Sequence, residues 1–232
     1  MTALHWASIA LFAPLGIALL LLLLHPLRRA GKPAAYLSVA AAITSLVASV
    51  VVFAQVVGGP EITETVRWLP GDGLASRIEL GLHLDGLSAS MLVVVCFVAT
   101  CVQVFSLGYM ADEPPADFGR YFTWHSLFIF SMNSLVIAPN LLQLFLGWEL
   151  VGLCSYLLIG FYYKKPSAAR AALKAFWVTK FADMGLLLGL IGLYTVSGGF
   201  DWNVQTEHAD WIAGLLFLAV MGKSAQFPLH IW

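Results

Sequence analysis

The chain has 232 residues, 60% hydrophobic and only 11% charged, with a formal net charge of -1, where an average soluble domain carries roughly 25% charged residues. That is a membrane composition, and without a dense basic patch among aromatics it argues against nucleic acid as a partner. Cys96, Cys101 and Cys154 fall singly inside apolar stretches, with no CxxC spacing and no histidine cluster; they read as small packing residues, and no metal site or iron–sulfur cluster is expected.

Crossing a bilayer takes about 20 apolar residues. Such stretches occur at 4–27, 34–57, 86–109, 120–139, 141–163, 171–196 and 210–227, which predicts six complete transmembrane helices and a seventh that the chain barely finishes. The first has the apolar core of a signal peptide, but its basic residues Arg28, Arg29 and Lys32 follow that core instead of preceding it. It reads as a retained helix entering from outside. Residues 61–84, EITETVRWLPGDGLASRIELGLHL, alternate around a Pro-Gly-Asp-Gly cluster, the pattern of a short β-hairpin between helices 2 and 3.

Loop charges set the expected orientation. Arg28, Arg29 and Lys32 in the first loop, and Lys164, Lys165 and Arg170 in the fifth with Lys174 at the helix boundary, should be cytoplasmic by the excess of positive residues on that side. The hairpin loop and the sixth loop (Asp201, Glu207, Asp210) are acidic, as the outer side permits. The third loop, ADEPPADFGR, is expected on the cytoplasmic side yet holds three acids and one arginine. Acids contribute little to orientation, so the assignment is weakened without being reversed.

Glu149, Lys180, Asp183 and Lys223 fall deep within the apolar spans. Even insertion-based scales charge such a side chain about 2.5–3.5 kcal/mol, and intramembrane ionisable groups mark ion pathways or proton relays. Lys180 and Asp183, three apart on one helix, share a face and suit either a local pair or a relay. Glu149 and Lys223 have no opposite charge within four residues, so each needs a partner from another helix. If the two lie near one another, the charge state of each depends on that of the other, and the pair can pass a proton; the alternative is a static pair that fixes packing.

Around Lys223 the chain reads GLLFLAVMGKSAQFPLHIW, with Gly222 beside the lysine and Pro228 after it. Proline removes a helix bond and disfavours helix just before it, and transporters build ion sites from such broken helices. Ser224, Gln226 and His230 cluster there. His230 suits a proton relay as well as a plain hydrogen bond, and His125 on the fourth helix is a second histidine candidate. Gly-Lys-Ser is not a phosphate loop, because Phe217 stands where that motif needs glycine.

The stretches FLGWELVGLCSYLLIGFYY, KAFWVTKFADMGLLLG and MGKSAQFPLHIW, in that order, together with the hairpin and the following HLDGLSASM, resemble the antiporter-like membrane subunit (subunit L, chain 5) of respiratory complex I, the NADH:quinone oxidoreductase. The resemblance covers the first half of that subunit. It implies an all-α polytopic membrane protein, an antiporter-like helical bundle, with 1–85 as an N-terminal two-helix segment and hairpin and 86–232 as the first part of a proton-channel repeat. It further implies proton translocation coupled to quinone reduction elsewhere in the complex. Glu149 and Lys223 would be the fifth-helix glutamate and seventh-helix lysine of the relay, Asp183 the sixth-helix aspartate, and Lys180 stands where many members have arginine.

The expected partners are other membrane subunits of complex I, the lipid bilayer, protons and internal water, in a bacterial plasma membrane. No flavin, haem or cluster motif occurs, so no cofactor is expected in this chain. The family continues for several hundred residues beyond the position matching Trp232, so the chain is expected to be a piece of the subunit. Two other functions fit the residues: a relative sharing the core, such as a Mrp-type cation/proton antiporter, a membrane-bound hydrogenase or an inorganic-carbon transporter subunit, and a structural scaffold that moves no ions.

Overall fold

A computed structural model describes residues 1–69, 78–202 and 206–232. Among these residues, each expected span contains a helix. In chain order the elements are α1 (Ala3–Leu23), α2 (His25–Arg29), α3 (Lys32–Val56), β1 (Ile62–Arg67), β2 (Glu79–Leu84), α4 (Gly86–Tyr109), α5 (Pro115–Val136), α6 (Leu141–Ile159), α7 (Pro166–Ser197) and α8 (Ala209–Lys223). Of these, α1, α3, α4, α6 and α7 are long and apolar enough to cross a membrane.

Boundaries follow local chemistry. The first span ends at Leu23, and a separate short α2 begins with Pro26 in its first turn; proline lacks the N–H that would have continued the ladder. The fifth span ends four residues early, with Gly160 as C-cap of α6, while α7 starts earlier than expected because Pro166 occupies its first position, where the missing N–H costs nothing. α7 closes on Gly198 at φ +72, the left-handed cap that glycine adopts freely.

Strands β1 and β2 pair into a two-stranded sheet, and Trp68 N–H donates to the Ile78 carbonyl (3.0 Å). The hairpin therefore forms where alternation predicts it. Its Pro-Gly-Asp-Gly turn, with Asp72 and Arg77, lies outside the described residues.

By packing, the chain forms two compact units, Met1–Glu64 with Leu82–Ile137, and Thr65–Gly81 with Ala138–Trp232. The division at residue 85 followed the resemblance to a repeat; this one follows packing. In the first unit, Ala3, Ala7, Ala10 and Leu11 of α1 meet Ala48, Val52 and Val56 of α3, Ala89, Leu92 and Cys96 of α4, and Ile137. Small side chains let helix backbones approach closely where lipid supplies no hydrophobic drive.

Pro14 sits inside α1 and cannot donate to Ala10 four residues earlier. That carbonyl instead accepts from Ser45 Oγ and Asn133 Nδ2, both at 2.9 Å. The backbone defect becomes a junction of three helices, as burial away from water demands.

Helix α5 is the most polar of the long helices, and its inward face carries Thr123, His125, Ser126, Ser131 and Asn133. Partners on α3 and α4 meet Ser126 and His125, while Thr123 and Ser131 bond carbonyls of α5 itself. Ser38 Oγ meets Ser126 Oγ at 2.5 Å and donates toward Gln103 Oε1 and the Phe122 carbonyl (both 3.1 Å), and the Gln103 amide lies 3.3 Å from His125 Nδ1. His125 is thus held in a hydrogen-bonded cluster of its own unit.

At the start of α4, Asp85 Oδ1 accepts from Ser88 N–H (2.7 Å), and Ser88 Oγ accepts from Asp85 N–H (2.8 Å). This capping box satisfies two donors at the helix start and holds the Asp85 carboxyl below its ordinary range, chiefly through the Ser88 backbone bond. The hairpin is pinned nearby, where His83 N–H donates to the Ile137 carbonyl (2.9 Å).

Candidate functional site

All four deep charges of the sequence lie on α6, α7 and α8, within the second unit. The start of α6 is fixed by amide side chains. Asn140 caps it, accepting from Gln143 N–H (2.9 Å) and donating to the Glu79 carbonyl (2.9 Å). The Gln143 side chain bonds both backbone groups of Gly81, at 2.8 and 2.9 Å. These bonds set the register of α6 and so place Trp148 and Glu149 near its middle.

Helices α7 and α8 pack through glycines. A Cβ added at Gly185 would stand 2.6 Å from the Leu215 carbonyl oxygen, and one at Gly189 would stand 2.9 Å from Leu216 Cδ2. At the far end Gly222 lies against Ala182 so closely that a Cβ there would collide with the alanine methyl. This approach brings Lys223, the next residue on α8, beside Asp183, the next residue on α7. Lys180 stands three residues before Asp183 on α7, so the two share a helix face.

Glu149 on α6 forms an ion pair with Lys180 on α7, both side chains half-buried. Asp183 is only 3% exposed; its Oδ1 accepts from the Trp148 indole N–H at 2.6 Å, while Oδ2 has no hydrogen-bond partner among the described residues. Lys223 Nζ donates to the Trp148 carbonyl (3.3 Å) and sits 5.6 Å from its ring centroid. A Cβ at Gly152 would stand 2.8 Å from that nitrogen. The ammonium therefore occupies a notch in α6 that a glycine opens.

The arrangement differs from the pairing read in sequence. Glu149 reaches Lys180 instead of pairing with Lys223 directly, and Trp148 bridges Lys223 and Asp183, through its carbonyl to one and its indole to the other. Two residues of this cluster escaped sequence reasoning, Trp148 and Gly152. Their signal was present in GWELVG, where tryptophan and glycine are four apart and share a helix face.

Helix α8 ends at Lys223, and Ala225 takes φ +51, a left-handed conformation. The break expected ahead of Pro228 is therefore present, with the lysine in the last turn, where the helix dipole favours a cation. Trp232 Nε1 donates back to the Gly222 carbonyl (2.8 Å). The structure does not bring His230 to the cluster, since it is exposed and its ring stacks on Phe227, 5.6 Å between centroids. Ser224 and Gln226 are likewise exposed.

Residues 68–122 match the family described as NADH-Ubiquinone oxidoreductase (complex I), chain 5 N-terminus. Residues 138–232, which hold the whole charged cluster, match NADH:quinone oxidoreductase/Mrp antiporter, TM. The chain belongs to this antiporter-like subunit family. It is an integral membrane protein, as the five apolar helices and the family require.

Among relatives of this antiporter-like chain, NAD(P)H-quinone oxidoreductase subunit 5, organellar chromatophore 1, of Paulinella chromatophora is 41% identical over 215 residues, 87% of this chain and 32% of that protein. NAD(P)H-quinone oxidoreductase chain 5 of Synechocystis sp. is 41% identical over 192 residues, 77% of this chain and 28% of that protein. The chain spans about a third of the length of the curated relatives it matches.

Of solved structures, the Mrp complex from Dietzia sp. DQ12-45-1b is similar at a TM-score of 0.74 and 26% identity, over 100% of this chain and 25% of that one. The membrane-bound sulfane sulfur reductase, an archaeal respiratory membrane complex, matches at a TM-score of 0.78 and 18% identity, over 97% of this chain and 46% of that one, a likeness of fold.

Proposed function

We propose that the antiporter-like chain is part of a proton-translocating membrane subunit of an NADH:quinone oxidoreductase, and that it moves protons by exchange of ion pairs among Glu149, Lys180, Asp183 and Lys223. The observation that carries this reading is a set of polar contacts across three helices: Glu149 pairs with Lys180, three residues before Asp183 on α7, and Trp148 joins Asp183 to Lys223.

The mechanism follows from electrostatics. While Glu149 is ionised it holds the Lys180 ammonium on α6. A proton arriving on Glu149 removes that attraction, and Lys180 is freed toward Asp183, three residues along its own helix. A second ammonium in the field of Asp183 repels the charge on Lys223, which favours loss of a proton from Lys223 where α8 ends. Desolvation makes each of these interactions stronger than it would be in water. His230, which lies outside the cluster, is proposed as the group that takes the proton onward, relayed by water.

The quinone and NADH chemistry belongs to other subunits of the complex, so the chain contributes to a translocase without a redox centre of its own. Its membrane is proposed to be the bacterial plasma membrane, with the N-terminus and hairpin outside and the loops bearing Arg28, Arg29, Lys32 and Lys164, Lys165 in the cytoplasm. The distribution of basic residues supports this. A second reading, a subunit of a Mrp-type cation/proton antiporter, is supported by the likeness to the Dietzia complex.

The test uses Glu149→Gln and Lys223→Ala in the full subunit, assembled in its complex in vesicles, with NADH-driven proton uptake measured beside NADH oxidation. The relay predicts that protons moved per NADH fall in both. Unchanged pumping in both would mean that the cluster is a scaffold, and sodium-driven proton efflux without NADH would favour the antiporter.

A further inference from the structure

Each lysine of the charged cluster lies over an aromatic ring. Lys223 Nζ is 5.6 Å from the Trp148 ring centroid, and Lys180 Nζ stands 5.5 Å from the centroid of Phe176, one turn earlier on α7. An ammonium within about 6 Å of a ring is drawn to its negative π face. We infer that Phe176 is a positioning residue for the exchange: its ring is a second, uncharged hold on the Lys180 ammonium, keeping it at the α6 seam until Glu149 takes up a proton. This role rests on the relay proposed above and adds to it the group that times the release of Lys180.

The fold builds the ring into this place. Phe176 and Lys180, four apart, share a face of α7. The neighbouring aromatics Trp177 and Phe181 are 67% and 69% exposed, whereas Phe176 is only partly exposed and packs on Tyr156 of α6, with 5.4 Å between centroids. Trp177 meets it edge to face at an interplanar angle of 79°. On α6, Glu149 and Tyr156 lie seven apart, two turns along one face. Lys180 is therefore in reach of a carboxylate and of a ring, both set by the packing of α6 on α7.

The two holds differ in what releases them. Glu149 is the single ion-pair partner of Lys180 among the described residues, and its attraction disappears when it is protonated. The phenyl ring has no titratable group, so its attraction is constant. A ring quadrupole attracts an ammonium less strongly than a full charge does, so the ring alone does not retain Lys180 against Asp183. While Glu149 is ionised, however, the ring adds a margin. That margin matters, because an ammonium that moved toward Asp183 early would favour proton loss from Lys223 before any proton had entered at Glu149. Turnover would then proceed with fewer protons moved.

The test replaces Phe176 by mono-, di- and trifluorophenylalanine in the full subunit within its complex; fluorine withdraws electrons from the ring face and hardly alters its size. The midpoint of thermal unfolding should fall stepwise along the series, and stay flat along the same series in a Lys180→Met background. Proton uptake per NADH should fall in the same order, about two- to fivefold by the trifluoro variant, the range of one exposed cation–π contact, with NADH oxidation retained. Phe176→Tyr, which keeps a ring face, should pump near the native level, and Phe176→Leu should match the trifluoro variant. Unchanged uptake along the series, an equal fall in midpoint without Lys180, or Phe176→Tyr as impaired as Phe176→Leu would each overturn the inference. Glu149→Gln in the same vesicles separates the role of Phe176 from the relay itself. Lost pumping there with a flat fluorine series sinks only the role of Phe176, and normal pumping there sinks the relay and this role with it.

Discussion

Glu149 on α6 is ion-paired with Lys180 on α7, so the carboxylate that opens the proposed relay is held by the neighbouring helix. Glu149→Gln should therefore free Lys180 as well as remove a charge. Because both groups are only half-buried, the pair's coupling should be modest, about 0.5–3 kcal/mol in a cycle of Glu149→Gln, Lys180→Gln and the double variant. Thermal unfolding of the solubilised complex measures it. The exchange Glu149→Lys with Lys180→Glu should recover the stability and not the proton uptake, which separates packing from transfer.

The notch at Gly152 yields a sharper prediction. Gly152→Ala places a methyl 2.8 Å from Lys223 Nζ, and the flexible lysine can move aside without disturbing the fold. It then loses its bond to the Trp148 carbonyl. Proton uptake per NADH should fall by about tenfold, the effect of one hydrogen bond from a charged donor, while the melting temperature stays close to that of the native protein. A large drop in melting temperature would show that the notch serves packing.

Trp148→Phe keeps the ring and removes the N–H that reaches Asp183 Oδ1. Since Asp183 Oδ2 already lacks a partner among the described residues, the carboxylate would lose the indole N–H that serves its other oxygen. The expected cost is about 1–3 kcal/mol of stability, read by thermal unfolding, with slower proton transfer in the same vesicles. Unaltered stability would mean that water replaces the indole.

The junction at Ala10 is testable by a cycle. Ser45→Ala removes one of two donors to that carbonyl and should cost about 1 kcal/mol. Pro14→Ala restores the helix's own donor, so Ser45→Ala should cost less in that background. Equal costs in the two backgrounds would show that proline does not create the demand for the serine.

At Asp85, replacement by alanine should cost about 0.5–2 kcal/mol at neutral pH, the usual effect of losing an N-cap. The folded carboxyl titrates below its ordinary range, so its contribution is fully present above the unfolded pKa, near 4, and is lost as the pH falls through the lower folded value. The gap between native and Asp85→Ala stability should therefore close on acidification and stay constant above about pH 5. A gap that widened in acid would reverse the sign and overturn the capping account.

Much of this protein was legible in its sequence because lipid imposes simple rules. Seven apolar stretches announced seven helices, alternation announced the hairpin, and Glu149, Lys180, Asp183 and Lys223 stood out because each is costly at membrane depth. Pro228 announced the end of α8. What sequence spacing could not supply was partnership between helices. Along one helix, Lys180 and Asp183 are natural partners and Glu149 has none; only the packing of α6 on α7 gives Glu149 to Lys180, and only the close crossing of Gly222 on Ala182 sets Lys223 beside Asp183. The reason is geometric. Periodicity decides which residues share a face of one helix, whereas the partner facing them depends on how closely small residues let two backbones approach, and that is a property of the tertiary structure alone.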